Sequence, residues 1–335
     1  MKAPFVWFGG KRRVAPEVWA ALGDVPNYIE PFAGSLAVLL GRPHDMSNGT
    51  RRAETVNDAD GFLANFWRAL AHDPEAVAHW CDWPVNEVDL FARHLWLVNT
   101  GRSRLLEGME ADPDFYDAQV AGWWVWGVNA WIGSGWCSGD GPWVDTGDGI
   151  GKRPHLGNAG RGVERRLPHL GNAGRAGYNN MEYRPNVLGY FEELAGRLRD
   201  VRVCCGDWSR VCTSGAMSYG SKVGVFLDPP YLGDVRTADL YAVDDHTISH
   251  AVRDWCLEHG DDPRLRIVLA GYRAEHDDLM PDTWRRHYYS ASAAYSTTES
   301  AARQDGNHAN RANEVLWFSP HCVTPDRQGE LWEAL

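Results

Sequence analysis

The chain has 335 residues, 44% of them hydrophobic and 23% charged, which is room for one large α/β domain carrying an inserted second domain, or for two domains. It shows no apolar run of membrane-span length and no signal-peptide core, and its seven cysteines include no C-x-x-C pair; a cytoplasmic protein with reduced thiols, no membrane and no metal is expected. The formal charge of −12 counts against a nucleic-acid binder, because phosphate contacts need Lys and Arg.

Taken in order, the chain opens with Pro4-Phe5-Val6-Trp7-Phe8-Gly9-Gly10-Lys11, an aromatic segment breaking into a glycine turn. Tyr28-Ile29-Glu30 reads as a short strand. It runs into the loop Pro31-Phe32-Ala33-Gly34-Ser35, with Leu36 to Leu40 beginning a helix. Thr55-Val56-Asn57-Asp58 reads as a second strand ending in an acid, and Ala59 to Ala71 follows with apolar residues at helical spacing. Two βα units in succession begin a doubly wound sheet. From about Asp73 the texture changes: tryptophans crowd in, and Gly133 to Gly151 is rich in glycine and aspartate. An octapeptide, Pro154 to Arg161, then recurs as Pro168 to Arg175, two copies being too few for a solenoid. Lys152 to Arg184 holds seven basic residues against Glu164 and Glu182, a local +5 that leaves about −17 elsewhere, so the distribution of charge says more than the total. The α/β texture returns near Val187. A helix is expected over Leu188 to Leu198, strands over Val201 to Cys205, Val223 to Leu227 and Arg266 to Gly271, and a helix over Thr247 to His259. Glu314 to Phe318 is expected to close the sheet. The fold class is therefore α/β, a Rossmann-like doubly wound sheet with an inserted, mainly helical and loop-rich domain. Residues 1–72 and 187–335 form the first and 73–186 the second.

The sharpest motif is Asp228-Pro229-Pro230-Tyr231. Two prolines cannot donate to a ladder, so the preceding buried strand must stop there, and positions just past the carboxyl end of such a strand face ligands. A carboxylate, free carbonyls and an aromatic ring at that tip can hold a planar group bearing an amine. A chance β-turn explains Asp-Pro but not the tetrapeptide. The other signals are more ambiguous. The Pro31–Ser35 loop is either a plain βα turn or a glycine approach to a ligand. Asp58 is either a ribose-binding acid or a helix N-cap, and Asp207 carries the same ambiguity. The tryptophans read as packing, with Trp123, Trp124, Trp126 and Trp131 on one helix and Trp136, beside Gly133 and Gly135, the candidate for a DNA surface. His246, His250 and His276 form no ligand pattern and read as surface or capping residues.

Phe8-Gly9-Gly10-Lys11, Glu30 to Ser35, Asn57-Asp58, Gly206-Asp207-Trp208 and Asp228 to Tyr231 stand in the order seen in the DNA adenine methylase family, which this chain resembles over about Pro4 to Ala71 and Val187 to Pro320. Asn313-Glu314-Val315-Leu316-Trp317 looks like that family's terminal strand. The resemblance implies S-adenosylmethionine at the sheet's carboxyl edge, with Trp7, Lys11, Glu30, Phe32, Gly34, Asp58, Asp207 and Trp208 toward the cofactor, Asp58 on its ribose and Asp207 on its adenine amine. Asp228, Pro229, Pro230 and Tyr231 would carry catalysis. Where the family's loop often has a second glycine this chain has Leu36, which implies a tighter cofactor loop.

The chemistry can also be argued without the resemblance. An exocyclic base amine is a poor nucleophile because its lone pair is delocalised into the ring. The Asp228 carboxylate and the Pro229 carbonyl can accept its two hydrogens, and Tyr231 can stack on the base, which must leave the duplex to be reached. The inserted residues would recognise double-stranded DNA through Arg153, Arg161, Arg165, Arg166 and Arg175, with Asn158 and Asn172 near base edges; the bland alternative is a solvated loop. The reading is an adenine-N6 DNA methyltransferase, acting as a monomer or a dimer. Its rivals are N4-methylation of cytosine, an inactive DNA-binding protein on the same fold, and methylation of a protein amide. Methylation at cytosine C5 needs a cysteine after proline, and no Pro-Cys pair occurs. The recognition sequence, a restriction partner and the biological role, whether restriction-modification or phage-type, are not legible.

Overall fold

The computed structural model describes residues 1–5, 7, 10–43, 52–112, 114–131, 136–137, 143–145, 150–152, 187–230, 245–289 and 314–324. In chain order these form α1 (Ala15–Leu22), β1 (Asn27–Glu30), α2 (Ala37–Leu40), β2 (Ala53–Asp58), α3 (Gly61–His72), α4 (Pro74–Cys81), α5 (Glu87–Trp96), α6 (Arg102–Ala111) and α7 (Ala118–Ala130). There follow β3 (Trp143–Asp145), β4 (Ile150–Lys152), α8 (Val187–Leu198), β5 (Val201–Cys205), β6 (Val223–Leu227), α9 (Asp245–His259), β7 (Leu265–Tyr272), α10 (Arg273–His276), β8 (Arg285–Tyr289) and β9 (Glu314–Phe318). Seven strands make one sheet in the order β5-β2-β1-β6-β7-β9-β8, while β3 and β4 pair as a separate antiparallel ribbon. β2, β1, β6 and β7 run parallel, and β9 is antiparallel to both β7 and β8. This is a mostly parallel, Rossmann-like α/β sheet.

The chain divides into two compact units, one built on Met1–Trp7 and Asn57–Asp207, the other on Phe8–Val56 and the segments from Trp208 onward. In the second unit β1, β6 and β9 are buried along their whole length. Such strands read as unbroken apolar runs because both faces are covered. The sheet order reverses direction between β1 and β6, whose register pairs Ile29 with Val225 and brings the ends at Glu30 and Leu227 to the same edge. A doubly wound sheet binds its ligands at such a switch point.

Two expectations are corrected here. β9 does not close the sheet: it lies between β7 and β8, and β8 is the edge. The β8 segment, Arg-Arg-His-Tyr-Tyr, lacks the apolar run of a central strand because only one side of it is paired. His276 is no surface residue. It is 1% exposed, with Nε2 at 3.3 Å from Ser249 Oγ and its ring edge-on to Trp317, and burial pushes its imidazole down to about 4.

In the first unit α3, α4, α7 and α8 pack together around an aromatic core. The ring of Phe5 meets Phe66 at 5.6 Å, Trp67 at 5.6 Å and Trp124 at 5.2 Å. Arg93 lies over the rings of Trp126, Trp123 and Trp83 at 4.3, 5.1 and 5.3 Å. Among the described tryptophans, Trp67, Trp123, Trp124 and Trp126 are therefore packing, as expected. Trp136 is as well, which corrects its assignment to a DNA surface. Its indole N–H donates to the Trp124 carbonyl at 3.1 Å, and its ring lies so close on α7 that a Cβ added to Gly127 would meet it at 1.8 Å.

Candidate active site

β6 ends as its sequence requires. Five buried residues stop at Asp228, which is half-buried, and the ring of Pro229 is buried behind it. Lys11, in a single 3-10 turn spanning Lys11–Arg13, is only 5% exposed and brings Nζ to 3.0 Å from Asp228 Oδ1. The same nitrogen is 3.8 Å from Glu314 Oε2, at the start of β9, whose side chain is 7% exposed. A buried ammonium is tolerated where carboxylates repay its lost hydration, so Lys11 fixes Asp228 while Asp228 and Glu314 fix Lys11. The glycine-flanked N-terminal motif and the DPPY motif, more than 200 residues apart in sequence, thus meet in one ion cluster.

One strand away, Glu30 is 2% exposed. Its Oε2 accepts from the Tyr28 hydroxyl at 2.9 Å and from the Leu39 N–H at 3.3 Å. Burial pushes its carboxyl up to about 8, against the pull of those two hydrogen bonds and with help from the nearby Asp228 charge. Glu30 is therefore mostly protonated at neutral pH.

The loop after β1 contains a turn closed by the Leu36 N–H on the Ala33 carbonyl at 2.8 Å, with Gly34 at φ 47°. Leu36 adopts φ 54° and ψ 28° as the N-cap of α2 while being completely buried. A leucine held in the left-handed region costs roughly 1–2 kcal/mol, which its buried side chain offsets. The loop thus keeps a glycine-like path without the glycine. The ring of Phe32 stacks against Trp208 at 6.2 Å with 26° between the planes.

The other unit carries Trp7, Asp58 and Asp207. The Gly206 N–H donates to the Asp58 carbonyl at 3.0 Å and the Asn57 side-chain amide donates to the Gly206 carbonyl at 2.9 Å. These bonds tie together the ends of β2 and β5, with Asp58 half-buried and Asp207 exposed. Asp58 is not the N-cap of α3. That role falls to Asp60, whose Oδ1 accepts from Phe62 N–H at 2.8 Å and Leu63 N–H at 3.3 Å. Asp58 Oδ1 instead accepts from the Asp60 N–H at 3.0 Å. The ring of Trp7 packs at 5.8 Å from Phe5 and 6.1 Å from Trp124.

Tyr231, Arg153, Arg161, Arg165, Arg166 and Arg175 lie outside the described residues. Glu314 is the member of the ion cluster that sequence reasoning passed over. Its signal was present: an acid opening the wholly buried strand Glu-Val-Leu-Trp-Phe demands a charged or hydrogen-bonding partner. Among the described residues no group of His, Cys, Asp and Glu is arranged to hold a metal ion, and no helix is long and apolar enough to cross a membrane.

Compared with known families, residues 7–86 match the model of the D12 class N6 adenine-specific DNA methyltransferases. The match takes in Trp7, Lys11, Glu30, Phe32, Gly34 and Asp58, and ends before Asp207 and Asp228. No curated protein matches the chain.

Proposed function

Starting from an adenine-specific DNA methyltransferase of the D12 class, as residues 7–86 indicate, we propose that the chain transfers a methyl group from S-adenosylmethionine to N6 of an adenine flipped out of duplex DNA. The observation that carries this reading is the Lys11–Asp228 contact at 3.0 Å, which holds a carboxylate at the carboxyl end of β6, beside the switch point of the sheet.

The residues fit the cofactor by the chemistry of their donors. Asp58 offers acceptor oxygens for ribose hydroxyls, Asp207 an exposed carboxylate for an adenine amine, and Phe32 and Trp208 aromatic faces for the purine. Bound S-adenosylmethionine supplies an electrophilic methyl on a sulfonium. Asp228 and the Pro229 carbonyl accept the two amine hydrogens of the target base, which draws the nitrogen toward a tetrahedral, more nucleophilic state. Pro229 and Pro230 fix the backbone that aims those acceptors, and Tyr231 stacks on the base. Lys11 locks the Asp228 carboxylate in place, so the rate gain comes from positioning and from preorganised charge. Glu30, mostly protonated and tied to Tyr28 and Leu39, stiffens the end of β1 beneath the Pro31–Ser35 loop. Residues 1–72 and 187–335 would form the catalytic domain. Residues 73–186 would form the recognition domain, reaching phosphates through Arg153, Arg161, Arg165, Arg166 and Arg175.

The test uses purified protein, duplex DNA of mixed sequence and cofactor labelled in its methyl group, followed by hydrolysis of the DNA to nucleosides. Label in N6-methyladenine is expected. Label in N4-methylcytosine, which the same DPPY chemistry allows, would overturn the assignment of the base.

A further inference from the structure

We propose that Glu314 is a positioning residue that offsets the charge of Lys11, so that the DPPY end of β6 keeps a net negative charge facing the reacting amine. The inference rests on the methyltransferase reading above and deepens it. Lys11 Nζ stands 3.0 Å from Asp228 and 3.8 Å from Glu314, with Lys11 5% exposed and the two carboxylate side chains 19% and 7% exposed. A lone Lys11–Asp228 pair would be neutral, and the ammonium that fixes the carboxylate would also cancel its field. Among these three described groups, one ammonium between two carboxylates leaves a net charge of −1, so Glu314 restores the negative charge that Lys11 removes. The neighbouring carboxyl of Glu30 adds little to it at neutral pH, being mostly protonated.

The reaction gives that charge a use. As the lone pair of the amine forms the N–C bond, the electron pair of the breaking S–C bond stays on sulfur. The positive charge thereby moves from sulfur to nitrogen until nitrogen passes a proton to the Asp228 carboxylate, which gives it up to solvent. A net negative cluster, held in place and shielded from water, stabilises a cation in its neighbourhood throughout that passage. Lys11 alone would supply rigidity at the expense of that field, whereas Lys11 with Glu314 supplies both.

The test compares wild type, E314Q and E314D at a temperature where all three are folded by circular dichroism. One readout is independent of turnover: calorimetric affinities for cationic S-adenosylmethionine and for its neutral product S-adenosylhomocysteine. E314Q should lower the preference for the cation by about threefold or more, and the single-turnover transfer rate at saturating cofactor and DNA by on the order of tenfold to a hundredfold, with DNA affinity unchanged. E314D, which keeps the charge, should stay within about threefold of wild type on both readouts. Equal losses of affinity for the two cofactor forms, or E314D behaving like E314Q, would mean that Glu314 only packs, and the inference would fall. An active wild type with an indifferent E314Q would also sink it while leaving the methyltransferase reading intact. A wild type that moves no methyl to adenine defeats that reading instead.

Discussion

Replacing Glu30 with glutamine separates the buried carboxyl from its proton chemistry while keeping its shape. The glutamine carbonyl can still accept from the Tyr28 hydroxyl and the Leu39 N–H, at 2.9 and 3.3 Å in the wild type. The folded carboxyl titrates near 8 against 4.5 for the ordinary group, so between those values the folded state holds a proton that the unfolded chain has lost. Stability from this group is therefore fully present below about pH 4.5 and is lost as pH rises through 8. At about 1.4 kcal/mol per unit, and allowing for partial titration at both ends, the wild type should lose about 3 kcal/mol between pH 5 and pH 8 through Glu30 alone. E30Q should lose none of that share. Urea unfolding of both proteins at pH 5, 6, 7 and 8 reads the difference, and the advantage of E30Q should widen by about 3 kcal/mol across the series. Parallel stability curves would refute the reasoning and mean that Glu30 is ionised or hydrated in the folded protein.

Two further predictions concern the loop and the insertion. L36G should relax a left-handed leucine, a gain of about 1–2 kcal/mol, but empty a fully buried site, a loss of about 3–5 kcal/mol. Net destabilisation of about 1–4 kcal/mol in chemical denaturation is expected, and an unchanged or more stable variant would show that strain outweighs packing there. Neutralising Arg161 and Arg175 together should weaken DNA binding across all sequences and lower its salt slope by about 2, measured by titration at several salt concentrations. Indifference would remove the repeated octapeptide from the DNA surface.

How legible each part was depended on how local its signal is. β6 could be read because five apolar residues and two prolines define a buried strand and its end without outside help. β9 was equally plain as a strand, yet its neighbours were not, since pairing with β8 across a long connection leaves no trace in either segment. Asp58 and Asp60 both sit where a helix could be capped, and only the hydrogen bonds to the Phe62 and Leu63 N–H groups decide for Asp60. Leu36 looked like a departure from the glycine pattern; the fold keeps the left-handed backbone and holds the side chain in the core. Lys11 was legible as part of a motif, but its partners were not. Contact with Asp228 and Glu314 depends on tertiary structure that brings three distant segments together. Specificity stayed unread because base recognition depends on side chains meeting particular base edges, which composition does not encode.

The central claim is that Asp228 at the end of β6 does the chemistry on an adenine amine. Wild type and D228A can be expressed in cells whose own adenine methylation is absent, their DNA digested and its nucleosides measured by mass spectrometry, with cofactor affinity of each purified protein determined alongside. Wild type should give N6-methyladenine, D228A should lose it by at least about a hundredfold, and cofactor affinity should be retained in the variant. N6-methyladenine at wild-type levels from D228A would contradict that role of Asp228.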